Sequence, residues 1–443
     1  MNTRRNFLKT ASVAGMMRFA EMNAMAQAAP DYKALVCIFM FGGNDGNSMI
    51  VPQTASEYNA YKAIRGSLTL PDGNAKLLQV ATANGTPYAL TDGLAKIHPL
   101  WAQKKLAVVA NVGMLVQPTT RAQYVGNAVQ VPTNLFSHSD QTVQMQAGIP
   151  SSSASTGWAG RVADAVAAMN AGKSFPPSVS LSGPALFSKG NIVQAASLIP
   201  GFDMQLNGFN VWPSTASQAR QQALQEILSF NSGLTMIQGA DKVRQDALGL
   251  SAMLKSLGSA PPMTTVFPGT SIGNQLKQVA QILQLRPQIG LGRQIFFCSM
   301  GGFDTHSAQS WGQWDLLKQI ADGMLSFYNA TAELGIADKV TTFTESEFGR
   351  TLQPSGSGSD HGWGNHHLVL GGAVKGGDLY GRFPVMALGG PDDSAGRGAW
   401  IPSTSTDQFG GTLAKWFGVD ANGLNTVFPN LAQFPVTDLG FMG

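Results

Sequence analysis

Residues 34–41 read ALVCIFMF without a polar interruption, and the run stops at Gly42 and Gly43. An unbroken apolar stretch of this length predicts a parallel strand covered on both faces, since a half-exposed strand would alternate. Residues 105–112 (KLAVVANV) and 294–300 (QIFFCSM) have the same character, and residues 339–344 (KVTTFT) form a weaker fourth. Between and after these runs the apolar positions fall at helical spacing, over residues 217–230, 275–285 and 315–334. Strands alternating with helices predict an α/β fold with a mostly parallel sheet and helices on both faces. Residues 218–255 read as a helical excursion over that sheet, and 257–273 as a long surface connection. Residues 151–155 and 354–359 read as loops.

With 443 residues, 44% hydrophobic and only 12% charged, the chain can bury a large core. No charge run, repeat or Pro-rich linker divides it, so residues 29–443 are expected to form one elaborated α/β domain. Arg4 and Arg5, then Asn6, Phe7, Leu8 and Lys9, an apolar stretch over residues 11–17 and small residues at Ala24, Ala26 and Ala28 read as a twin-arginine signal peptide over residues 1–28. Cleavage is expected near Ala26 or Ala28, placing the protein in the bacterial periplasm or outside the cell, with the export machinery as a partner. Loss of residues 1–26 removes four of 29 basic residues and one of 26 acidic residues, leaving 25 of each. That balance gives no electrostatic reason to expect nucleic acid or an anionic membrane surface as partner. No later run approaches the roughly 18–20 apolar residues that span a bilayer. Cys37 and Cys298 both sit in strand-like runs, where a buried free thiol is the commoner fate, although a disulfide requires only Cα atoms within about 7 Å.

Two strands end alike, in Phe41-Gly-Gly-Asn-Asp45 and in Gly301-Gly-Phe-Asp304. Each delivers an aspartate just past the carboxyl end of a buried strand, the edge at which open parallel sheets bind ligands. The plain alternative for either is a turn or helix cap. Five of the six histidines lie in three short polar motifs: His138 in FSHSDQ, His306 in GGFDTH, and His361, His366 and His367 in SDHGWGNHH. His98 stands apart as an ordinary loop or packing residue. Asp304 with His306, and Asp360 with His361, supply the oxygen and imidazole ligands of a divalent ion such as zinc or manganese. Glu347, in FTESEFGRT, is placed to add a carboxylate to the same edge, while Glu345 is expected to be exposed. Arg350 could hold an anion, neutralise the acids or form a structural ion pair. Ser137 is placed either as a nucleophile at a helix N-terminus or as an ordinary cap with Asp140, and Ser139 and Ser48 rank below it. The Gly-rich stretch 354–359 would leave Asp360 and His361 free to reach back to the strand edge.

Taken together, FGGNDGNSMIVP, TGWAGR at 156–161, GGFDTH, SEFGRT, SDHGWGNHHLVLGGAVKGG and LAKWFGV resemble the bacterial domain-of-unknown-function family 1501 over nearly all of the chain after the leader. That family looks like a distant branch of the alkaline phosphatase and sulfatase superfamily. The resemblance implies a three-layer α/β/α fold, one or two divalent metal ions at the sheet edge, and hydrolysis of a phosphate or sulfate ester of a small molecule or glycan. Carried over by motif, Asp45 matches the first metal-binding aspartate, and Asp304 with His306 resembles a later Asp–His pair. Glu347 and Phe348 stand where another Asp and His are expected. Asp360 with His361 could be that pair displaced by an insertion, leaving His366 or His367 as the last ligand. The superfamily's nucleophile motif is not visible, so a binding or assembly protein that kept the fold without the chemistry is the second reading.

Overall fold

The computed structural model describes residues 31–73, 75–201, 212–230 and 262–443, with a discontinuous set between 232 and 251. The expected signal peptide over residues 1–28, and much of the expected helical excursion beyond the helix Ser214–Ser229, lie outside the described residues. The strands in chain order are β1 (Lys33–Met40), β2 (Ile50–Pro52), β3 (Leu77–Ala81), β4 (Pro87–Thr91), β5 (Leu106–Gly113), β6 (Ser178–Ser180) and β7 (Ala196–Ser197). They continue as β8 (Arg293–Met300), β9 (Val340–Glu345), β10 (Arg350–Ser355), β11 (Gly358–His361), β12 (Asn365–Gly371), β13 (Leu379–Tyr380) and β14 (Thr404–Ser405).

Nine of them form one sheet in the order β13-β5-β12-β9-β1-β8-β6-β7, with β14 on β5. Every pairing in it is parallel except those of β12, which runs antiparallel to both β5 and β9. The central strand is buried on both faces, as its unalternated sequence requires. Val36, Ile38 and Met40 enter one core with the helices Ser271–Gln284 and Gln309–Glu333. Leu35, Cys37 and Phe39 enter the other with the helices Trp158–Ala165 and Thr406–Phe417. The result is three layers, α/β/α. Each fully buried aliphatic or aromatic side chain contributes roughly 1.5–3 kcal/mol of transfer free energy. Burial therefore also sets β9, whose Thr341, Thr342 and Thr344 are all buried in spite of their hydroxyls. The two flanking layers are capped locally. Ser405 and Gln408 form a reciprocal capping box at one helix start, and Thr270 accepts from the Gly273 amide at another.

Three local expectations change. Residues 354–359 are not a free loop: β10 and β11 pair as an antiparallel hairpin that turns at Gly356 in the left-handed region, so Asp360 and His361 ride on a strand. Glu345 is fully buried, with Oε2 3.8 Å from the Cys37 thiol, and burial pushes its carboxyl up to about 8. The helix over residues 275–285 already begins at Ser271, which shortens the surface connection that precedes it. Cys37 and Cys298 are both buried free thiols. They lie on adjacent strands one register step apart, so their side chains face opposite cores. Among the described residues no helix is long and apolar enough to cross a membrane.

Candidate functional site

The parallel strands β1, β8 and β9 all end at one edge, and the segments that follow them meet there. Two glycines permit the approach. A Cβ on Gly42, which sits at φ +116°, would lie 2.3 Å from the Asp304 amide nitrogen, and one on Gly358 would lie 2.2 Å from the His306 carbonyl carbon. The first locks the β1 and β8 ends together, and the second presses the β10–β11 hairpin onto the segment carrying Asp304 and His306.

Around Asp304 three imidazoles converge through Nε2. His306 Nε2 is 3.0 Å from Asp304 Oδ1, His138 Nε2 3.5 Å and His361 Nε2 3.7 Å, while His306 Nε2 and His361 Nε2 are 3.0 Å apart. Ligand atoms of His138, Asp304 and His361 all lie within 4.8 Å of one another. Each ring is held through its other nitrogen: His138 Nδ1 is 2.8 Å from Glu347 Oε1, His361 Nδ1 2.7 Å from the Phe136 carbonyl, and His306 Nδ1 3.5 Å from Asp360 Oδ1. For His138 and His361 an oxygen at hydrogen-bonding distance from Nδ1 favours the proton there and an inward Nε2 lone pair, the arrangement metal-binding histidines use, whereas His306 meets Asp360 only as an ion-pair contact and shares a proton with His361 through Nε2. Tetrahedral coordination at roughly 2.0–2.1 Å separates ligand atoms by about 3.3 Å, close to the spacings found. His138 Nε2 is buried and makes no hydrogen bond.

The supports are part of the fold. His138 opens the helix His138–Ala147, and Phe348 packs against the rings of both His138 and His361, at centroid distances of 4.7 and 4.8 Å. Phe348 thus backs both rings, which also meet each other edge-on at a centroid distance of 4.3 Å. Glu347 is buried and takes a second hydrogen bond from the Gly42 amide at 2.8 Å. Asp360 is paired with Arg397.

Charges set the protonation states. Burial pushes the Asp304 carboxyl up, but the hydrogen bond and charge of Arg350, together with His306 and His138, outweigh it and hold the group below the usual range. The hydrogen bond to Glu347 raises His138, against burial and with help from Asp304. His361 is lowered, by burial first and then by the neighbouring cations, in spite of the Phe136 carbonyl. In the metal-free protein, His138 therefore contributes stability that is present below its ordinary value and lost as pH rises through its elevated folded value. Replacing Glu347 by Gln is expected to bring His138 down toward the ordinary range, measurable by NMR titration of the ring. An unchanged His138 midpoint would show that Glu347 does not govern it.

The structure brings together Asp304, His306, Glu347, Asp360 and His361 and adds His138, which sequence reasoning left unassigned in its motif. It sets Asp45, His366 and Ser137 apart and gives Arg350 a bond to Asp304 from behind the cluster. Asp45 is fully buried and pairs with Arg65, while Ser48, Asn47 and Gln309 also donate to its carboxylate, at 2.5, 3.2 and 2.5 Å. With its oxygens so occupied, it is a scaffold residue rather than a ligand. His366 points into the sheet core, accepts from the Asn111 amide at 3.0 Å and stacks on Phe383, and burial lowers it to about 3. Ser137 is the N-cap of its helix and donates to Asp140 Oδ2 at 2.6 Å, so its hydroxyl is engaged by the capping carboxylate and not by a histidine of the cluster. Arg350 is buried and bonds four carbonyls, of Gly42, Gly43, Phe303 and Ser359, besides Asp304. It rivets the edge and orients Asp304, with all three guanidinium nitrogens already hydrogen-bonded.

The family model described as "Protein of unknown function (DUF1501)" matches residues 32–393. No curated protein matches the chain. Among solved structures, the crystal structure of the PsFucS1 sulfatase from Pseudoalteromonas sp. is similar at 9% identity and a TM-score of 0.35, covering 90% of this chain and 70% of that one. A crystal structure of Ps i-CgsB in complex with k-i-k-neocarrahexaose is similar at 9% identity and a TM-score of 0.35, covering 89% and 74%.

Proposed function

We propose that this chain, which belongs to the DUF1501 family, holds a divalent transition-metal ion between His138, Asp304 and His361 and hydrolyses a sulfate or phosphate ester there. The observation that carries the reading is the buried, unpartnered Nε2 of His138, held facing Asp304 by Glu347 on the opposite ring nitrogen. A buried imidazole nitrogen without a partner is costly, and an ion between the three side chains would satisfy it. When bound, such an ion supplies Lewis acidity for an ester oxygen and a means of activating water.

The protein's own groups would do the rest. Half-exposed His306 stands beside Asp304 with Nδ1 facing Asp360, so as an imidazolium it would pass its Nε2 proton to the leaving oxygen and be left as the neutral Nδ1–H form, to be reprotonated from solvent. Ser137 is committed to Asp140, so water is the attacking group. The choice of ester rests on the motif resemblance, and export by the twin-arginine route rests on Arg4 and Arg5. One observation favours the second reading, a metal-binding protein without turnover: the Arg350 guanidinium is fully engaged by backbone and Asp304 and so offers no clamp for an anionic ester.

The two readings separate in an assay of zinc- or manganese-loaded protein on 4-nitrophenyl sulfate and 4-nitrophenyl phosphate. Turnover is expected from the loaded protein, to be abolished by chelation and reduced about 10²–10⁴-fold in His306→Ala with the metal retained. Loaded protein that hydrolyses neither ester would leave only the binding reading.

A further inference from the structure

A cavity of about 430 Å³ opens beside the site, between the start of the helix Gln309–Glu333 and the strand end at Thr91 and Asp92. That volume falls in the range of roughly 300–1,000 Å³ typical of small-ligand pockets. Its wall is a pair of tryptophans, Trp311 and Trp314, with ring centroids 5.0 Å apart and planes inclined by 31°. Trp311 is 70% exposed, on a helix whose Leu317, Ile320, Met324 and Phe327 are buried in the core. Opposite stand polar groups: Lys76, whose ammonium lies 5.7 Å from the Trp314 ring centroid and 2.9 Å from Asp92, together with Ser48 and Gln309.

The pocket is joined to the histidine cluster through Gln309, three residues after His306. Its amide donates to Asp45 and accepts from Ser359 Oγ at 2.6 Å, two residues before His361, while its backbone amide donates to the Ser357 carbonyl. Gln309 is buried and both ends of its side-chain amide are used, so it forms the partition shared by the pocket and the segment that carries His361.

We propose that this pocket is a carbohydrate subsite that holds a pyranose ring of the substrate on Trp311. The inference deepens the hydrolase reading and rests on it for the reacting end of the ligand. A pyranose carries an apolar C–H face that lies flat on an indole and a rim of hydroxyls that needs hydrogen-bonding groups around it. An exposed indole set in a concave wall, with an ammonium–carboxylate pair at its rim, offers both. Trp311 touches the ligand without reaching the reacting atoms, so its role is in binding and positioning.

The test uses the full chain on an array of neutral and sulfated oligosaccharides, followed by calorimetry with the best-binding probe. Wild type is expected to bind, Trp311→Ala to lose roughly tenfold or more in affinity, and Trp311→Phe to recover part of it. Trp311 is exposed, so its replacement should leave the melting temperature unchanged. Binding is expected to persist after chelation and in His138→Ala, so the two readings fail separately: a wild type that takes up no zinc and still binds sugar through Trp311 would sink the metal reading and leave this pocket standing. No binding anywhere on the array, or equal binding by wild type and Trp311→Ala, would overturn the proposal.

Discussion

Replacing Arg65 by Met is expected to destabilise the folded chain by about 3–5 kcal/mol, the cost of leaving one partner of a buried ion pair uncompensated. Arg65 and Asp45 are both fully buried, and Arg65 also donates to the carbonyls of Thr351 and Leu352, at 3.1 and 3.0 Å. It thereby ties the helix Ala55–Arg65, the turn after β1 and the β10–β11 hairpin into one unit. Met keeps most of the stem volume, so the loss comes from the charge and its hydrogen bonds rather than from a cavity. Adding Asp45→Asn to Arg65→Met should recover part of the stability, because the residual amide no longer needs a cation. Urea unfolding reads both results. A change below about 1 kcal/mol in the single variant would mean that the pair is solvated. Since Asp45 is structural, Asp45→Asn should leave metal content unchanged, an outcome that a ligand role for Asp45 forbids.

The second large effect belongs to Asp304. Asp304→Ala is expected to lower metal affinity by more than about a hundredfold, beyond the 10–100-fold typical of losing an outer support such as Glu347. Asp304 is the acidic member of the cluster whose oxygen faces all three imidazoles, and without it three rings crowd together with no negative charge. In the metal-free protein its effect follows pH in the opposite sense from that of His138. A carboxyl held low stabilises the fold above its ordinary value, and that stability disappears as pH falls through the lowered folded value. Asp304→Ala should therefore flatten the acid limb of the stability profile, whereas Glu347→Gln should alter the limb set by His138. Isothermal titration with zinc, at a pH above the elevated His138 value, gives the affinity. Equal affinity in wild type and Asp304→Ala would remove the residue from the centre.

How much of this could be read in the sequence depended on whether one run of residues carried the whole signal. β1, β5 and β8 were legible because a strand covered on both faces is mostly apolar, and β9 only weakly so because three buried threonines interrupt its run. β12 was not: its first half is the polar Asn365-His-His, and only the pairing with β5 and β9 shows that both histidines enter the sheet. Two similar strand ends, each finishing in an aspartate, diverged for a reason no local pattern contains. Asp304 met three histidines, whereas Asp45 met Arg65, twenty residues on, and a glutamine from a distant helix. Glu345 illustrates the same limit, since a charged residue at a strand end reads as exposed until the Trp158 side of the core is known to cover it. His138 could have been singled out because its motif is polar, precedes a helix and shares the clustering of the other histidines. Its link to Glu347, 209 residues away, became visible only in three dimensions.

The central claim is that His138, Asp304 and His361 jointly hold an ion. The most direct measurement is the metal content, by plasma mass spectrometry, of protein loaded with zinc and then desalted, for wild type, His138→Ala, His361→Ala and His98→Ala. His98 serves as control, since its ring meets the Gln79 carbonyl of β3 at 3.0 Å and takes no part in the histidine cluster. We expect about one ion per chain in wild type and in His98→Ala, with most of it lost in the other two variants. No retained zinc in wild type, or equal retention in all four proteins, would contradict the account.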